Sequence, residues 1–452
     1  MKVHFIAIGG SAMHNLALAL HHKGYEVSGS DDEIFEPSRS RLAQYGILPE
    51  EMGWFPERVY QGLDAVILGM HARANNPELL KAREIGVPIY SYPEYVYEQS
   101  KDKTRVVIGG SHGKTTITAM LLHVLQAQGM EFDYLVGAQL DGFETMVKLT
   151  KSAPIIVLEG DEYLSSPIDR RPKFHWYRPQ IALLSGIAWD HINVFPTFEN
   201  YVEQFRIFID SIEENGTLAY YSGDEHLRQL VGQGPALNYQ SYTTPDHVIV
   251  DGKTVLKTAS GDVPLEIFGA HNLQNLEGAQ RIAAALGIAK SVFYQSIATF
   301  SGAARRLQKV AEAASSVVYK DFAHSPSKLK ATTAAVKAQY ARRRLVACME
   351  LHTFSSLNAD FLKEYAGAMN AADRAIVYFN PHTIAHKKLP PIAIEQVREA
   401  FQRDDLEVLT DSDKVRAMLR SETWEHQNLL LMTSGNFDGM NLDDFGKELL
   451  SA

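Results

Sequence analysis

Residues 105–128 read RVVIGGSHGKTTITAMLLHVLQAQ, and this stretch decides the fold class of the chain. The apolar run at 105–108 predicts a buried strand, the glycines of 110–116 predict a loop, and residues 117–128 predict a helix. A strand, a glycine loop and a helix in this order are typical of α/β proteins in which backbone N–H groups at the helix N-terminus bind phosphate oxygens. The stretch therefore predicts an α/β domain with a nucleotide phosphate site.

The loop GSHGKTT (110–116) carries the side chains that phosphate chemistry needs. Lys114 would neutralise the β- and γ-phosphates of ATP, and the Thr115 hydroxyl can bind Mg²⁺. The longer pattern G-x-x-x-x-G-K-[ST] is incomplete, because its first glycine falls on Ile108. The alternative is a solvent-exposed turn that happens to contain Gly-Lys-Thr. The predicted ATP-binding residues of the loop are Gly110, Ser111, His112, Gly113, Lys114, Thr115 and Thr116.

Two further apolar strands are each followed by side chains that suit a metal ion. The strand at 155–158 leads into LEGDEY (158–163), and the strand at 181–184 leads into GIAWDHINVF (186–195). Open α/β sheets place ligands at the carboxyl ends of their strands, and Mg²⁺ prefers carboxylate oxygens. We therefore predict a Mg²⁺ site from Thr115, Glu159 and His191. For His191 alone, a packed or surface histidine is the alternative interpretation.

The first hundred residues predict a second α/β unit with a glycine turn of its own. The segment AIGGSA (7–12) lies between a predicted strand and a predicted helix, and it is close to G-x-G-x-x-[GA] but begins with Ala7. Asp31 follows the next strand, about where a ribose-binding carboxylate is expected. The pattern favours a ligand that carries a diphosphate, although close packing of the strand against the helix would also explain the glycines.

Composition limits the classes of protein that the chain can belong to. Its 452 residues predict about two to four domains. Lys plus Arg number 44 and Asp plus Glu 54, so the net charge of −10 disfavours nucleic acid as a partner. The single cysteine, Cys348, fits a reducing cytoplasm, and we expect no signal peptide and no membrane span.

Alternating apolar strands and helical stretches continue to the C-terminus and predict three α/β domains. They include predicted strands at 65–68 and 265–268 and a predicted helix at 77–85. We place an N-terminal Rossmann-like domain at 1–102, a central P-loop ATPase-type domain at 103–303, and a C-terminal Rossmann-like domain at 304–452. Polar stretches near 99–104 and 301–306 mark the two boundaries.

These features in this order resemble the Mur ligase family, whose members form amide bonds with ATP in peptidoglycan synthesis. The resemblance covers nearly the whole chain and includes FGAHNLQNLEGA (268–279) and YKDFAHSPSKLKAT (319–332). It implies ATP contacts from Asn272, Asn275, Arg305 and Arg306. It also implies that Lys114, Glu159, His191, Asp321 and His324 are the catalytic residues.

The resemblance further implies UDP-N-acetylmuramate as the acceptor, with ATP and Mg²⁺ as cofactors. It makes 1–102 the UDP-sugar domain and 304–452 the amine-substrate domain. The implied UDP-sugar contacts are Gly9, Gly10, Ser11, Ser30, Asp31 and His71. The amine is either the tripeptide L-alanyl-γ-D-glutamyl-meso-diaminopimelate or free L-alanine. Segments at 33–42 and 173–179 favour the tripeptide, whereas Leu351 and His352 stand where the tripeptide-specific members have proline and arginine. We expect a monomer or weak homodimer.

Two functions from other classes are weighed against this interpretation. A nicotinamide-dependent dehydrogenase would use the glycine turn at 7–12, but it leaves the loop at 110–116 without a role. A non-catalytic nucleotide-binding regulator would use that loop, but it gives no reason for Glu159, His191 and Asp321 together.

Overall fold

The structure is a computed structural model that describes residues 1–189, 192–250, 252–303 and 306–451. The described residues form four β-sheets of four, seven, three and six strands. Helices lie between successive strands of the three larger sheets, as in α/β proteins with parallel sheets. Within the described part of the chain, no helix is both long enough and apolar enough to cross a lipid bilayer.

The N-terminal sheet is parallel, with the strand order β2-β1-β3-β4. Its central strands are buried along most of their length, and helix α1 buries its apolar face in the same core. Gly9 and Gly10 therefore lie at the carboxyl end of a buried strand. The elements are β1 (Lys2–Ile6), α1 (Ser11–His22), β2 (Glu26–Ser30), α2 (Ser38–Gln44), β3 (Ala65–Leu68), α3 (Pro77–Ile85), β4 (Ile89–Ser91) and α4 (Tyr92–Glu98).

The central sheet has the order β11-β10-β9-β5-β8-β6-β7 and is parallel except for β7. Its middle strands are rich in Val, Ile and Leu because both faces are covered. The elements are β5 (Thr104–Gly109), α5 (Lys114–Ala127), β6 (Phe132–Leu135), β7 (Val147–Lys148), β8 (Ile155–Glu159), β9 (Ile181–Leu184), α6 (Phe198–Asp210), β10 (Thr217–Tyr221), α7 (Glu225–Gly232) and β11 (Asn238–Tyr242).

A small antiparallel sheet follows, and then the C-terminal sheet with the order β15-β16-β20-β17-β18-β19. Only β15 is antiparallel in the C-terminal sheet as described. The elements are β12 (His247–Val250), β13 (Lys253–Thr258), β14 (Gly261–Leu265), α8 (Ala270–Ala285), α9 (Lys290–Ile297), β15 (Gln308–Glu312), β16 (Val317–Asp321), α10 (Pro326–Gln339), β17 (Arg344–Leu351), α11 (Ala359–Leu362), β18 (Arg374–Phe379), α12 (Pro381–His386), α13 (Ile394–Phe401), β19 (Glu407–Leu409), α14 (Ser412–Arg420), β20 (Gln427–Met432) and α15 (Leu442–Ser451).

The chain divides into two compact units. The first unit comprises Met1–Ile187, Phe198–Tyr242 and Gly278–Ile288, and it contains the N-terminal and central sheets. The second comprises Ala188–Thr197, Thr243–Glu277 and Ala289–Ala452, and it contains the small and C-terminal sheets. The domain limits at 1–102, 103–303 and 304–452 stay a prediction.

One apolar run is a buried loop where we expected a strand. The run at 265–268 looks like a strand in the sequence, but β14 ends at Leu265 and α8 begins at Ala270. Phe268 is buried, with its ring centroid 5.4 Å from that of Tyr319 and 6.3 Å from that of Tyr340. The run is apolar because it packs into the core of the second unit, and a short apolar run does not distinguish this packing from a strand.

The N-terminal sheet contains a buried hydrogen-bonded pair, His4 and Glu78, and both side chains are fully buried. Glu78 Oε2 lies 3.2 Å from His4 Nε2, and Glu78 Oε1 accepts a 2.7 Å hydrogen bond from the Phe55 N–H. We predict that Glu78→Ala lowers the free energy of unfolding of this part by about 3 kcal/mol, because it leaves buried donors without an acceptor. Urea denaturation followed by circular dichroism measures the shift of the first transition.

The matched control is Glu84→Ala on the same helix. Glu84 forms only a 3.1 Å ion pair with Lys81, and its side chain is 68% exposed. This variant should unfold at nearly the wild-type urea concentration, since exposed ion pairs contribute little. Equal destabilisation by the two substitutions would contradict the role given to the buried pair.

Candidate functional site

The loop between β5 and α5 is shaped by two glycines with positive φ. Gly110 has φ 122° and Gly113 has φ 77°, conformations that residues with a Cβ rarely adopt. A Cβ on Gly110 would also lie 2.1 Å from Ser185 Oγ at the end of β9. Gly113 is the residue before helix α5, so the backbone turns into the helix with its first N–H groups directed toward the loop. The local geometry is that of a phosphate-binding loop.

Lys114 forms the main charge contacts of this loop. Its Nζ donates at 2.6 Å to the Gly110 carbonyl oxygen and at 2.6 Å to Glu162 Oε2. Burial by itself would lower the pKa of Lys114, but the carboxylates of Glu162, Asp161 and Glu159 outweigh it, and the pKa lies above its ordinary value. Lys114 is therefore a fixed cation at the carboxyl edge of the central sheet.

Thr115 and Glu159, two of the residues predicted to bind Mg²⁺, contact each other. Thr115 Oγ1 donates to Glu159 Oε1 at 2.9 Å, and the Gly137 N–H donates to Glu159 Oε2 at 2.8 Å. A hydroxyl and a carboxylate side by side are hard oxygen donors of the type that Mg²⁺ takes alongside phosphate and water. In the described part of the chain, no three His, Cys, Asp or Glu side chains converge on a possible metal position. The donors present fit an ion that keeps several other ligands.

Two residues that sequence reasoning did not assign complete this network. Tyr201 on α6 is fully buried, and its hydroxyl lies 2.8 Å from Ser111 Oγ and donates to Glu162 Oε1 at 3.1 Å. Glu162 thus contacts both Tyr201 and Lys114. The sequence gives no signal for Tyr201, because a tyrosine on the apolar face of a helix looks like ordinary core. Glu162 was visible only as one of three acids after β8.

The remaining loop residues are held by backbone contacts. The Ser111 N–H donates to the Gly186 carbonyl at 3.0 Å, and the Ser185 hydroxyl donates to the His112 carbonyl. Thr116 is buried in the first turn of α5. The structure therefore brings the predicted residues 110–116 together with Glu159 at one edge of the central sheet.

The predicted UDP-sugar residues lie at the carboxyl edge of the N-terminal sheet. The Gly9 N–H donates to Asp31 Oδ2 at 2.7 Å, and burial raises the pKa of the Asp31 carboxyl. Ser30 Oγ accepts from an Arg58 guanidinium nitrogen at 3.2 Å. Gly10 and Ser11 follow in the turn into α1, whereas His71 is exposed beyond β3. Asp31 fixes the glycine turn, and its contact with ribose stays a prediction.

The predicted ATP contacts outside the loop belong to the second unit or lie outside the described residues. Asn272 and Asn275 are both 8% exposed on α8, and Asn272 Nδ2 donates to the Phe268 carbonyl at 3.0 Å. The Arg306 guanidinium lies 5.1 Å from the centroid of the Phe322 ring. His191 and Arg305 lie outside the described residues. Their roles stay predictions.

Asp321 ends strand β16 and lies beside an open cavity of about 200 Å³. Its carboxylate accepts a 2.6 Å hydrogen bond from the Ala323 N–H and another from the Leu307 N–H. Burial nevertheless raises the pKa of Asp321 above its usual range. His324 Nδ1 lies 2.8 Å from the Phe322 carbonyl, so the backbone orients this imidazole.

Together, the fold and this loop define a nucleotide-binding α/β protein with a P-loop. Three family profiles match the chain: "Mur ligase family, catalytic domain" over residues 2–104, "Mur ligase middle domain" over 108–283, and "Mur ligase, glutamate ligase domain" over 305–435. A UDP-N-acetylmuramate–L-alanine ligase from Sulfurihydrogenibium is 30% identical, with 83% of this chain and 82% of that protein covered.

Two relatives carry other names. A UDP-N-acetylmuramate–L-alanyl-gamma-D-glutamyl-meso-2,6-diaminoheptandioate ligase from Escherichia coli is 27% identical over the full length of both chains. The crystal structure of a murein peptide ligase from Psychrobacter arcticus superposes with a TM-score of 0.65 at 22% identity, covering 100% of this chain and 98% of that one. The chain belongs to the Mur ligase family and has its three-domain α/β architecture. It is an ATP-dependent ligase that forms amide bonds.

We predict that Lys114→Ala abolishes ligation while leaving UDP-sugar binding nearly intact. Loss of a preorganised charge at a transferring phosphoryl group costs about 10² to 10³ in rate. Phosphate release from ATP measures the loss, and the matched control Lys151→Ala removes an exposed lysine of the same unit. Near wild-type turnover in the Lys114 variant would exclude this loop as the ATP site.

We also predict that Glu159→Gln raises the Mg²⁺ concentration needed for half-maximal activity. The amide oxygen can still accept from the Gly137 N–H, and the amide NH₂ can donate to the Thr115 hydroxyl, but the amide carries no charge for a cation. Glu131→Gln, at an exposed position, is the control. His191→Ala is expected to act in the same direction, and a magnesium titration unchanged in both site variants would remove these residues from the metal site.

Proposed function

We propose that this ligase joins L-alanyl-γ-D-glutamyl-meso-diaminopimelate to UDP-N-acetylmuramate in peptidoglycan recycling. The alternative is a UDP-N-acetylmuramate:L-alanine ligase of peptidoglycan biosynthesis. In both reactions the lactoyl carboxylate of the sugar nucleotide attacks the γ-phosphorus of ATP, which yields an acyl phosphate and ADP. The amine then attacks the acyl carbon, and phosphate leaves as the amide forms.

The contacts around Lys114 support the first step. A cation held between the Gly110 carbonyl and Glu162 is placed to offset charge on the transferring phosphoryl group. The backbone N–H groups that follow Gly113 would hold the phosphate oxygens. When ATP binds, Lys114 must exchange part of its contact with Glu162 for phosphate, and Tyr201 keeps Glu162 in position during that exchange.

Thr115 and Glu159, together with His191, are the residues that we assign to Mg²⁺. The ion would supply positive charge to the phosphate oxygens and to the developing acyl phosphate. The role of the chain is to hold Glu159 rigidly, which it does through the Gly137 N–H and the Thr115 hydroxyl.

Asp321 and His324 are assigned to the amine step. The amine must lose a proton before or while it attacks, and a buried carboxyl whose pKa is raised accepts a proton more readily than an exposed one. The backbone contact at His324 Nδ1 orients the imidazole that we assign to the ammonium group. The cavity beside Asp321 is where we place the amine substrate.

The segment at 173–179 supports the tripeptide, because it is similar to an insertion of the tripeptide-specific members. Lys173 Nζ contacts Asp161 Oδ2 at 2.5 Å, and the Lys173 N–H donates to the Tyr163 carbonyl at 2.9 Å. Phe174 is fully buried and stacks on Phe208 of α6 at 4.6 Å. The segment 173–179 thus contacts Asp161 and Tyr163, the residues on either side of Glu162, and restricts their movement.

The C-terminal sheet carries the feature that keeps L-alanine as the alternative. His352 Nδ1 lies 3.4 Å from Glu350 Oε1, where an arginine is expected to bind a peptide carboxylate. Glu350 is buried and accepts hydrogen bonds from the Thr433 hydroxyl and the Phe437 N–H. Burial works to raise the pKa of Glu350, but these partners and His352 outweigh it, and its pKa lies below the usual range. A carboxylate of the tripeptide would therefore need another cation.

The observation that best supports the proposed phosphoryl transfer is the ion pair of Lys114 with Glu162, which lies next to the contact between Thr115 and Glu159. The amine is decided by comparing kcat/KM for the tripeptide and for L-alanine at saturating ATP and UDP-N-acetylmuramate. We expect a preference for the tripeptide of at least about tenfold, which corresponds to about 1.4 kcal/mol in transition-state binding. A ratio that favours L-alanine would support the biosynthetic enzyme and leave the nucleotide chemistry unchanged.

A further inference from the structure

A line of buried and partly buried hydrogen bonds within the first unit begins at the glycine turn of the N-terminal sheet. His14 and Asn15 lie on α1, one turn after Gly10, and they are 2% and 0% exposed. Neither belongs to the phosphate loop or to the residues that we assign to the sugar nucleotide. Two adjacent buried polar side chains in an otherwise apolar helix require partners, because a buried polar group without one is costly.

Asn15 fixes the direction of these hydrogen bonds. Its Oδ1 accepts from the Met146 N–H at 2.9 Å, so its Nδ2 is the donor to the Ser11 carbonyl at 2.8 Å and to His14 Nε2 at 3.0 Å. Because Nε2 accepts, the proton of a neutral imidazole lies on Nδ1, which is 3.0 Å from the Gly10 carbonyl oxygen and 3.0 Å from the Ser38 hydroxyl oxygen. Burial lowers the pKa of His14, which agrees with a neutral ring.

The far end of the line reaches the candidate metal ligand. Met146 directly precedes β7, and its carbonyl accepts from the Val136 N–H at 2.9 Å. The next residue, Gly137, donates its N–H to Glu159 Oε2 at 2.8 Å. A Cβ on Gly137 would lie 2.7 Å from Glu159 Oε1, so the backbone there contacts the carboxylate too closely for any side chain. Asn15 is therefore joined to Glu159 through one strand pair.

We propose that His14 and Asn15 are positioning residues that couple binding of the sugar nucleotide at residues 9–11 to the nucleotide site at Glu159. The coupling rests on the proposed function, since it requires UDP-N-acetylmuramate in the glycine turn. A diphosphate entering that turn displaces the Gly10 and Ser11 carbonyls, which accept directly from His14 and Asn15. The Asn15 amide uses its Oδ1 and both Nδ2 hydrogens in hydrogen bonds, so it cannot move without moving its partners. A shift of the Ser11 carbonyl therefore shifts Met146, and through Met146 it shifts Gly137.

The test measures how UDP-N-acetylmuramate changes the affinity for ADP in the presence of Mg²⁺. Calorimetric titration gives the Kd of ADP with and without saturating UDP-N-acetylmuramate, for the wild type, Asn15→Ala and His14→Phe. We expect the wild-type affinity to change within the usual range for coupled sites, about 5- to 150-fold. In both variants the factor should fall below about twofold, while the Kd of ADP alone stays near that of the wild type.

The matched control is Tyr45→Phe. Tyr45 OH donates at 2.6 Å to Glu144 Oε1 and so joins the end of α2 to the segment that contains Met146, but this contact is exposed and does not involve Gly10. It should keep the wild-type factor. Thermal midpoints are recorded for every variant, and His14→Phe preserves the Asn15–Met146 contact if Asn15→Ala fails to fold.

Several outcomes overturn the coupling. It is wrong if the wild type shows no change in ADP affinity, or if folded His14 and Asn15 variants keep the full factor. It is also wrong if Tyr45→Phe loses the factor equally, because the effect then belongs to the whole contact between the segments. A wild type that does not bind UDP-N-acetylmuramate contradicts the proposed function itself, which separates that failure from a failure of the coupling alone.

Discussion

The site of this ligase depends on one constraint, which is that a lysine ammonium must be held among three carboxylates at the carboxyl edge of the central sheet. Glu159, Asp161 and Glu162 all follow one strand, and like charges so close together are unfavourable without a cation. Lys114 supplies that charge from the start of α5, the helix that follows the neighbouring strand β5, and Lys173 pairs with Asp161. The sheet order β9-β5-β8 places loop and acids on neighbouring strands, so the fold itself brings the opposite charges together.

The positive φ of Gly110 and Gly113 follows from the same constraint. The loop must bring Lys114 back toward the Gly110 carbonyl while passing within contact distance of Ser185. A side chain at Gly110 would displace the loop from β9 and move the ammonium away from Glu162. Tyr201 then closes the arrangement from α6 by contacting both Ser111 and Glu162.

Much of the fold follows from patterns within single elements, and the rest depends on contacts between distant segments. The strands at 65–68 and 181–184 and the helix at 77–85 are where local apolar patterns and a helix cap predict them. The strand expected at 265–268 is wrong because burial of Phe268 against Tyr319 makes a loop apolar. In the site, Lys114 and Glu159 are predictable from motif and strand end. Tyr201 is not, because its role arises only where α6 packs beside the loop.

His14 and Asn15 could not be predicted from the sequence either, because they lie within a helix and not at the end of a strand, where ligand-binding residues are expected. A histidine and an asparagine in a helix are usually solvated, and nothing local distinguishes these two. The reason for their burial lies in the segment 137–146. At one end of this segment the Met146 N–H donates to Asn15 on α1, and at the other end the Gly137 N–H donates to Glu159. If the acceptor and the phosphoryl donor bind to different sheets, as we propose, the ligase needs rigid connections of this kind, since the reacting oxygen and phosphorus must meet within about 3–3.5 Å. Hydrogen-bonded backbone supplies such a connection with less freedom than apolar contact does, because each donor has one direction.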